Sequence, residues 1–430
     1  MARYTSGMAT GKRIVLAAFG SLGDLHPYIA VARELKRRGH RPLIATFDDY
    51  RAAVEAGGVE FTAMRPSMSG FGDFSSVMER LVDPWRGPER LVGMFMSHVR
   101  ESYEDLSHAA AGADLLVTHP IAFAGPALAQ KQGLRWASTV LSPLSLFSAI
   151  DPPLFPAAGW LRHVRKLGVA PYRMVLRIPR FVMRRWERPL YRLRAELGLP
   201  TPGPIAQMEG QYSPRLNLAL FSRLLAAPQP DWPANTMVCG FPRYDGPPPD
   251  ECMQRELDRF LAPGEPPIVF ALGSSAVMVA GDFWRHAIET ARRLSRRAIL
   301  ITGRPPEESG ALPPSIKAFQ YLPYSAVFPR ASAIVHPGGI GTLAQALAAG
   351  RPQLVVPVAF DQPDNAQRAV RLGVARSVPF RKAAAGTMAS ELEKLLAAPG
   401  YAARAAATGE RIGAEDAAGA ACGALERLLG

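Results

Sequence analysis

Cysteine is scarce in this chain: three residues in 430, at Cys239, Cys252 and Cys422. So odd and scattered a set forms neither a disulfide framework nor a metal pattern, and a reducing cytoplasm is the expected setting. Long apolar runs are missing too. No window reaches the roughly 18 residues that a membrane span requires. Near the N-terminus IVLAAFG is apolar but too short for a signal core, and SLGDLHP follows it in place of a cleavage site. It reads as a first strand, and the polar MARYTSGMATGKR before it reads as disordered. Short internal repeats and long low-complexity tracts are also absent. Acidic residues are outnumbered, 37 against 50 Lys and Arg, for a net charge of +13. That excess is local. Between Leu161 and Arg194 stand eleven Arg/Lys against one acid, Glu187, which is +10 in a single segment.

What the chain does have is rhythm. Hydrophobic residues make up 48% of it, enough for a sizeable core, and the length suggests two domains. RIVLAAF, RPLIATF, VEFTAM, DLLVTH and RWASTVL read as strands separated by helical patterns, with Pro27 expected to open the first helix. The alternation implies an α/β fold with parallel pairing and right-handed crossovers. GFPRYDGPPPDE is the strongest linker candidate. After it the rhythm restarts in PIVFAL, RAILITG, ASAIVHP and PQLVVPV. The expected division is an N-terminal Rossmann-like domain over 1–240, a linker over 241–251, and a second Rossmann-like domain over 252–408. A last helix, about Glu410 to Leu429, is expected to pack back toward the first domain. Two such halves face a cleft, and ligands of doubly wound sheets sit beyond the carboxyl ends of the strands.

The stretch IVHPGGIGTLAQALAAG runs from strand through glycine turn to helix. Glycines let a ligand approach the backbone, and a helix N-terminus offers free N–H groups and a positive dipole end. His336 would add a hydrogen bond or a positive charge to a diphosphate; the bland alternative is a structural histidine in a tight turn. Ser274 and Ser275 lie in a second strand-to-turn on the same sheet edge. Asp361 and Gln362 pair a carboxylate with an amide, suited to vicinal sugar hydroxyls, unless Asp361 merely caps the next helix. Tyr321 is placed to stack on a nucleobase, or else is a core aromatic.

HPGGIGTLAQALAAGRPQLVVPVAFDQPDNA resembles the donor-binding signature of nucleotide-sugar glycosyltransferases of the plant UDP-glycosyltransferase and bacterial antibiotic-glycosylating type. The resemblance covers essentially the whole chain and implies the two-domain architecture called GT-B. It assigns the diphosphate to His336, Gly338 and Gly339 with Thr342 as helper, the sugar to Asp361 and Gln362, the base to Tyr321, and a place near the phosphates to Ser274 or Ser275. Plant members carry a glutamate for the ribose hydroxyls early in the following helix; here TLAQAL has no acid. That favours a dTDP-sugar over a UDP-sugar as co-substrate. LFSRLLAAPQPDWP, GFPRYDG and GSSAVMVAGDFW resemble the rhamnosyltransferases of rhamnolipid synthesis, which implies dTDP-rhamnose and a hydroxylated lipid acceptor.

Transfer needs a base, a stabilised leaving group and exclusion of water. No Asp-x-Asp metal motif is suitably placed, and no cofactor beyond the nucleotide sugar is expected. In the family, a histidine or aspartate stands three residues before the proline of the first loop; here that is Asp24. Burial would raise its pKa toward useful basicity, although Asp24 is also a natural helix cap. His119 ends DLLVTH, where plant members place the aspartate that orients their histidine, so base and orienting group are exchanged or shared between the two. His26 is expected to point elsewhere. SPLSLFSAIDPPLFP, with Ser142, Phe147 and Phe155, is the expected acceptor-pocket loop. The arginine-rich segment is either a solvated basic face or a peripheral contact with anionic membrane at its inner, cytoplasmic side. No nucleic-acid fold surrounds it. The rivals are a sugar-nucleotide 2-epimerase, whose acidic and histidine site residues are missing from HPGGIG and AFDQPDN, and a binding module without catalysis.

Overall fold

The computed structural model describes residues 11–201, 203–262, 264–303 and 312–430. Positions 1–10 of the polar N-terminal stretch lie outside the described residues. Two parallel sheets carry the chain. The first has seven strands: β1 (Arg13–Ala17), β2 (Arg41–Thr46), β3 (Glu60–Ala63), β4 (Leu115–Thr118), β5 (Trp136–Val140), β6 (Asn217–Ala219) and β7 (Thr236–Val238). Their spatial order is β3-β2-β1-β4-β5-β6-β7. The second has six: β8 (Ile268–Ala271), β9 (Ala298–Ile301), β10 (Ile316–Phe319), β11 (Ala333–His336), β12 (Gln353–Val355) and β13 (Ala375–Ser377). Their order is β10-β9-β8-β11-β12-β13. Every pairing is parallel, and the central strands β4, β8, β9 and β11 are buried along their whole length. Apolar side chains on both faces of the strand explain their continuous hydrophobic runs.

The order of strands reverses between β1 and β4 in the first sheet and between β8 and β11 in the second. At such switch points neighbouring crossovers run to opposite faces and leave a crevice at the carboxyl ends. The loops after β1, β4, β8 and β11, which carry Asp24, His119, the Ser274–Ser275 pair and the glycine turn, fall at these two points, while Asp361 and Gln362 follow the neighbouring strand β12.

Two local expectations are corrected. Pro27 does not open the first helix, which spans Leu22–Arg37 with Pro27 inside it. Ser21 and Asp24 form a capping box that starts the helix earlier, and this reciprocal pair satisfies two donors that the proline does not affect. The C-terminal helix is two helices, Pro399–Gly413 and Ala417–Leu429, with the second capped by Asp416, whose side chain accepts from Gly419 N–H. That last helix lies against Leu22–Arg37: Cys422 meets Val31 O, and Glu426 accepts from Arg38 at 2.8 Å. Strands β6, β7, β10 and β13, three or four residues each, are not among the runs that read as strands.

Candidate active site

Asp24 is held by its own turn. Ser21 donates its backbone N–H and its hydroxyl to Asp24 Oδ2, at 2.7 and 2.9 Å. The other carboxylate oxygen, Oδ1, lies 3.8 Å from His119 Nε2. His119 stands just past β4, the strand beside β1, so adjacent strands deliver the two groups to one switch point. Its Nδ1 accepts the Ile121 N–H, which leaves Nε2 to carry the proton toward Asp24. The imidazole is buried while the Asp24 side chain is about a third exposed, 7% against 30%. The histidine therefore stands behind the carboxylate, and the carboxylate faces the cleft.

The expectation of a raised Asp24 pKa is overturned. Burial does push it upward, but the His119 imidazole beside it and the Ser21 donors outweigh that and hold the carboxyl below its ordinary value.

The opposite lobe presents the glycine turn. Gly338 has φ of +87°, and a Cβ there would sit 2.7 Å from Val355 Cγ1, so both backbone and space demand glycine. His336 is fully buried. Its Nδ1 accepts the Gly338 N–H at 3.1 Å, and Nε2 pairs with Gln353 Oε1 at 3.0 Å. Burial lowers its pKa to about 4. The ring is neutral at physiological pH, which corrects the expectation of a positive charge for the diphosphate. It shapes the turn, and the helix Ile340–Ala348 that follows supplies the exposed N–H groups and dipole.

Asp361 and Gln362 begin the neighbouring helix, Gln362–Arg371. Asp361 occupies the N-cap position yet makes no side-chain cap bond; its Oδ2 accepts from Asn365 Nδ2 at 2.7 Å. Gln362 Oε1 accepts the N–H groups of Val358 and Ala359, which points its amide nitrogen toward Gly339. Burial raises the Asp361 pKa to about 7, and the charge of Asp24 adds to the rise. The two carboxylates thus feel each other across the cleft.

That shift has a stability consequence. The native state keeps the Asp361 proton longer than the unfolded chain does, so its burial costs stability as pH rises from the ordinary aspartate range through about 7. Each unit of that window is worth at most about 1.4 kcal/mol. Asp361→Asn is expected to raise the melting temperature relative to wild type at pH 8 and to leave it nearly unchanged at pH 4. Equal differences at both pH values in thermal unfolding contradict the assignment.

The lobes meet at this place. A Cβ on Gly341, in the first turn of its helix, would fall 2.8 Å from Gly23 Cα, so the two helix starts touch backbone to backbone. Ser142 Oγ reaches Asn365 Oδ1 at 3.1 Å across the divide, and Asn365 Nδ2 also donates to Gly338 O at 2.9 Å. Ser142 is therefore a tie between the lobes. Below it, the buried Arg368 binds Asp364 of its own helix at 2.7 Å and Asp151 of the first lobe. Asp364 also accepts the Leu154 N–H at 2.9 Å.

The remaining expected residues fall around this core. Ser274 and Ser275 lie half-buried in the single turn Gly273–Ala276 after β8. Thr342 is buried, and its hydroxyl bonds Tyr324. Tyr321 is 43% exposed, with its hydroxyl bound to Asp245 O of the linker. Phe147 and Phe155 stack, with centroids 6.1 Å apart, on the loop that carries Asp151. Asn365 and Arg368 escaped the sequence reading, and Asp364, expected as the natural cap of this helix, instead pairs with Arg368 while Asp361 takes the N-cap position. Their signal was there: Asp361, Asp364, Asn365 and Arg368 recur at helical three- and four-residue steps, the spacing of one helix face. Among the described residues, no three His, Cys, Asp or Glu side chains converge in a way that could hold a metal ion.

Residues 14–98 match the glycosyltransferase family 28 N-terminal domain, and residues 290–423 match the C-terminal domain of the erythromycin biosynthesis protein CIII-like family. The chain is 32% identical to the O-mycaminosyltylonolide 6-deoxyallosyltransferase of Streptomyces fradiae, over 96% of this chain and 97% of that one. Among solved structures it resembles the calicheamicin glycosyltransferase CalG4, with a TM-score of 0.70, 19% identity and coverage of 97% and 98%. It also resembles the glycosyltransferase VinC in complex with DTDP, with a TM-score of 0.67, 20% identity and coverage of 97% and 99%.

Proposed function

Because the chain belongs to the nucleotide-sugar glycosyltransferases of GT-B architecture, we propose that it is an inverting, metal-independent hexosyltransferase using a dTDP-6-deoxyhexose, in first place dTDP-rhamnose, and a hydroxyl on a hydrophobic acceptor. The observation that carries this reading is the backbone contact of Gly23 with Gly341, which puts the Asp24 loop and the glycine turn around one small volume.

In that volume the acceptor hydroxyl gives its proton to Asp24 as its oxygen attacks the anomeric carbon. The bond from that carbon to the diphosphate breaks on the opposite face, so the configuration inverts. Negative charge grows on the leaving diphosphate, where the backbone N–H groups at the start of Ile340–Ala348 meet it without reorganisation. Thr342, Ser274 and Ser275 border the same place. Asp361 and the free amide of Gln362 address sugar hydroxyls, and the exposed side chain of Tyr321 suits the base. Asp24 is ionised over the working pH range, so it accepts the proton only once attack has made the hydroxyl strongly acidic. His119, turned to its rear, is a positioning residue.

Two features support a thymidine donor. The helix after the turn offers Gln345 and no acid to a ribose 2′-hydroxyl, and VinC binds DTDP. A 6-deoxy sugar fits the name of the Streptomyces relative. For the acceptor, a hydroxylated lipid is the first choice and a macrolide-type polyketide the second, the latter favoured by that same name. Release of nucleoside diphosphate from dTDP-rhamnose, other dTDP-deoxyhexoses and UDP-glucose, against hydroxy fatty acids, sterols and macrolactones, tests the proposal. A preference for the dTDP donors is expected. Preference for UDP-glucose overturns the donor reading, and binding without transfer to any acceptor overturns the assigned chemistry.

A further inference from the structure

The arginine-rich segment is not absorbed by this chemistry, and its packing is unusual. The helix Ile178–Trp186 has no buried residue at all. Its Ile178, Phe181 and Val182 stand in solvent, with Phe181 81% exposed. Met174 in the preceding helix, Val169–Val175, and Leu167 just before that helix are 70% and 76% exposed. Ile178, Phe181 and Val182 share one helix face by their three- and four-residue spacing, and exposed large apolar side chains grouped in this way mark an interaction site. Arg173, Arg177, Arg184 and Arg185 are exposed among them. Of the arginines on these two helices, only Arg180 makes an ion pair among the described residues, with Glu209. The one acid of the segment, Glu187, is buried and accepts the N–H groups of Ala206 and Gln207, so it presents no charge outward.

We propose that the helices Val169–Val175 and Ile178–Trp186 form a docking face for an anionic lipid surface. The apolar side chains enter the boundary between headgroups and acyl chains, and the flanking guanidinium groups stay with the phosphates. Aliphatic side chains dominate the face, which suits acyl chains and offers no stacking ladder for bases. Behind the face, Tyr172 and Leu176 pack with Leu161 and Ala149, and Phe155 of the expected acceptor loop rests on the same small cluster. The docking face and that loop are therefore two sides of one structural unit. The proposal holds whether or not the acceptor is itself a lipid.

Flotation of the full-length protein with phosphatidylglycerol-containing vesicles, against pure phosphatidylcholine vesicles, tests it at low and high salt. Binding is expected to the anionic vesicles only, weakened by salt. Each arginine removed is expected to weaken it about fivefold, so Arg184→Gln with Arg185→Gln lowers it by roughly 30-fold. Phe181→Asp is expected to abolish it. Both variants should keep wild-type circular dichroism and wild-type nucleoside diphosphate release in the absence of vesicles. No flotation with anionic vesicles at low salt, equal flotation with phosphatidylcholine, or flotation unchanged in both variants overturns the proposal. So does a change of oligomeric state in the variants with flotation unaltered, because the face is then a protein contact.

Discussion

An Asp24→Asn enzyme is expected to turn over roughly 10²- to 10⁴-fold more slowly at saturating donor, the range a positioned general base contributes. The substitution is nearly isosteric. The asparagine oxygen still accepts the Ser21 N–H that Asp24 accepts at 2.7 Å, so the helix start persists and the melting temperature should move little. Donor affinity, measured by titration calorimetry, should also persist, because the glycine turn belongs to the other lobe. What is lost is the negative charge. The same loss relieves Asp361, whose pKa of about 7 is raised in part by Asp24, so the Asp361 titration should move downward in the variant. His119→Ala should act differently. It removes the partner that helps hold the Asp24 carboxyl low, so the acid limb of the kcat/KM profile moves to higher pH. Near-normal turnover in both variants would falsify the assignment of the pair.

The largest loss of stability is expected from Arg368→Met. Arg368 is 1% exposed and its guanidinium is shared between Asp364, also 1% exposed, and Asp151. Both carboxylates favour its charged form and outweigh the burial that opposes it. Methionine fills much of the volume but leaves Asp364 buried with no cation, at a cost of about 3–5 kcal/mol. Asp151 keeps Arg371 at 3.0 Å, so the damage centres on Asp364. The double variant Asp364→Leu, Arg368→Met removes both buried charges and is expected to recover most of the loss, since an apolar pair often replaces a buried ion pair without net cost. Thermal unfolding of the two variants separates these outcomes. A melting temperature unchanged by Arg368→Met contradicts the role of the triad. Because Asp151 belongs to the first lobe, the single variant should also loosen the cleft and raise KM for donor.

Residues close in sequence were legible before any coordinates. The turn at Gly338 is written in the string HPGGIG because only glycine tolerates a positive φ with Val355 2.7 Å from its missing Cβ. The carboxylate at Asp24 and the imidazole at His119 were both placed at strand ends by the apolar runs before them. Their roles were not legible, because a pKa depends on what surrounds the group. Burial alone argues for a raised Asp24, and the nearness of a diphosphate argues for a charged His336; a neighbour 3.8 Å away reverses the first, and complete burial removes the second.

The sequence by itself determined the two doubly wound sheets, the loops at their carboxyl ends and the glycosyltransferase signature, because each rests on periodicity or on contacts within a few residues. Tertiary structure alone decided that Asn365 ties Gly338 to Ser142, that Arg368 joins the lobes, and that Phe181 stands in solvent. Those facts depend on surfaces brought together across more than 100 residues of chain, and on which side chains are left uncovered when they meet.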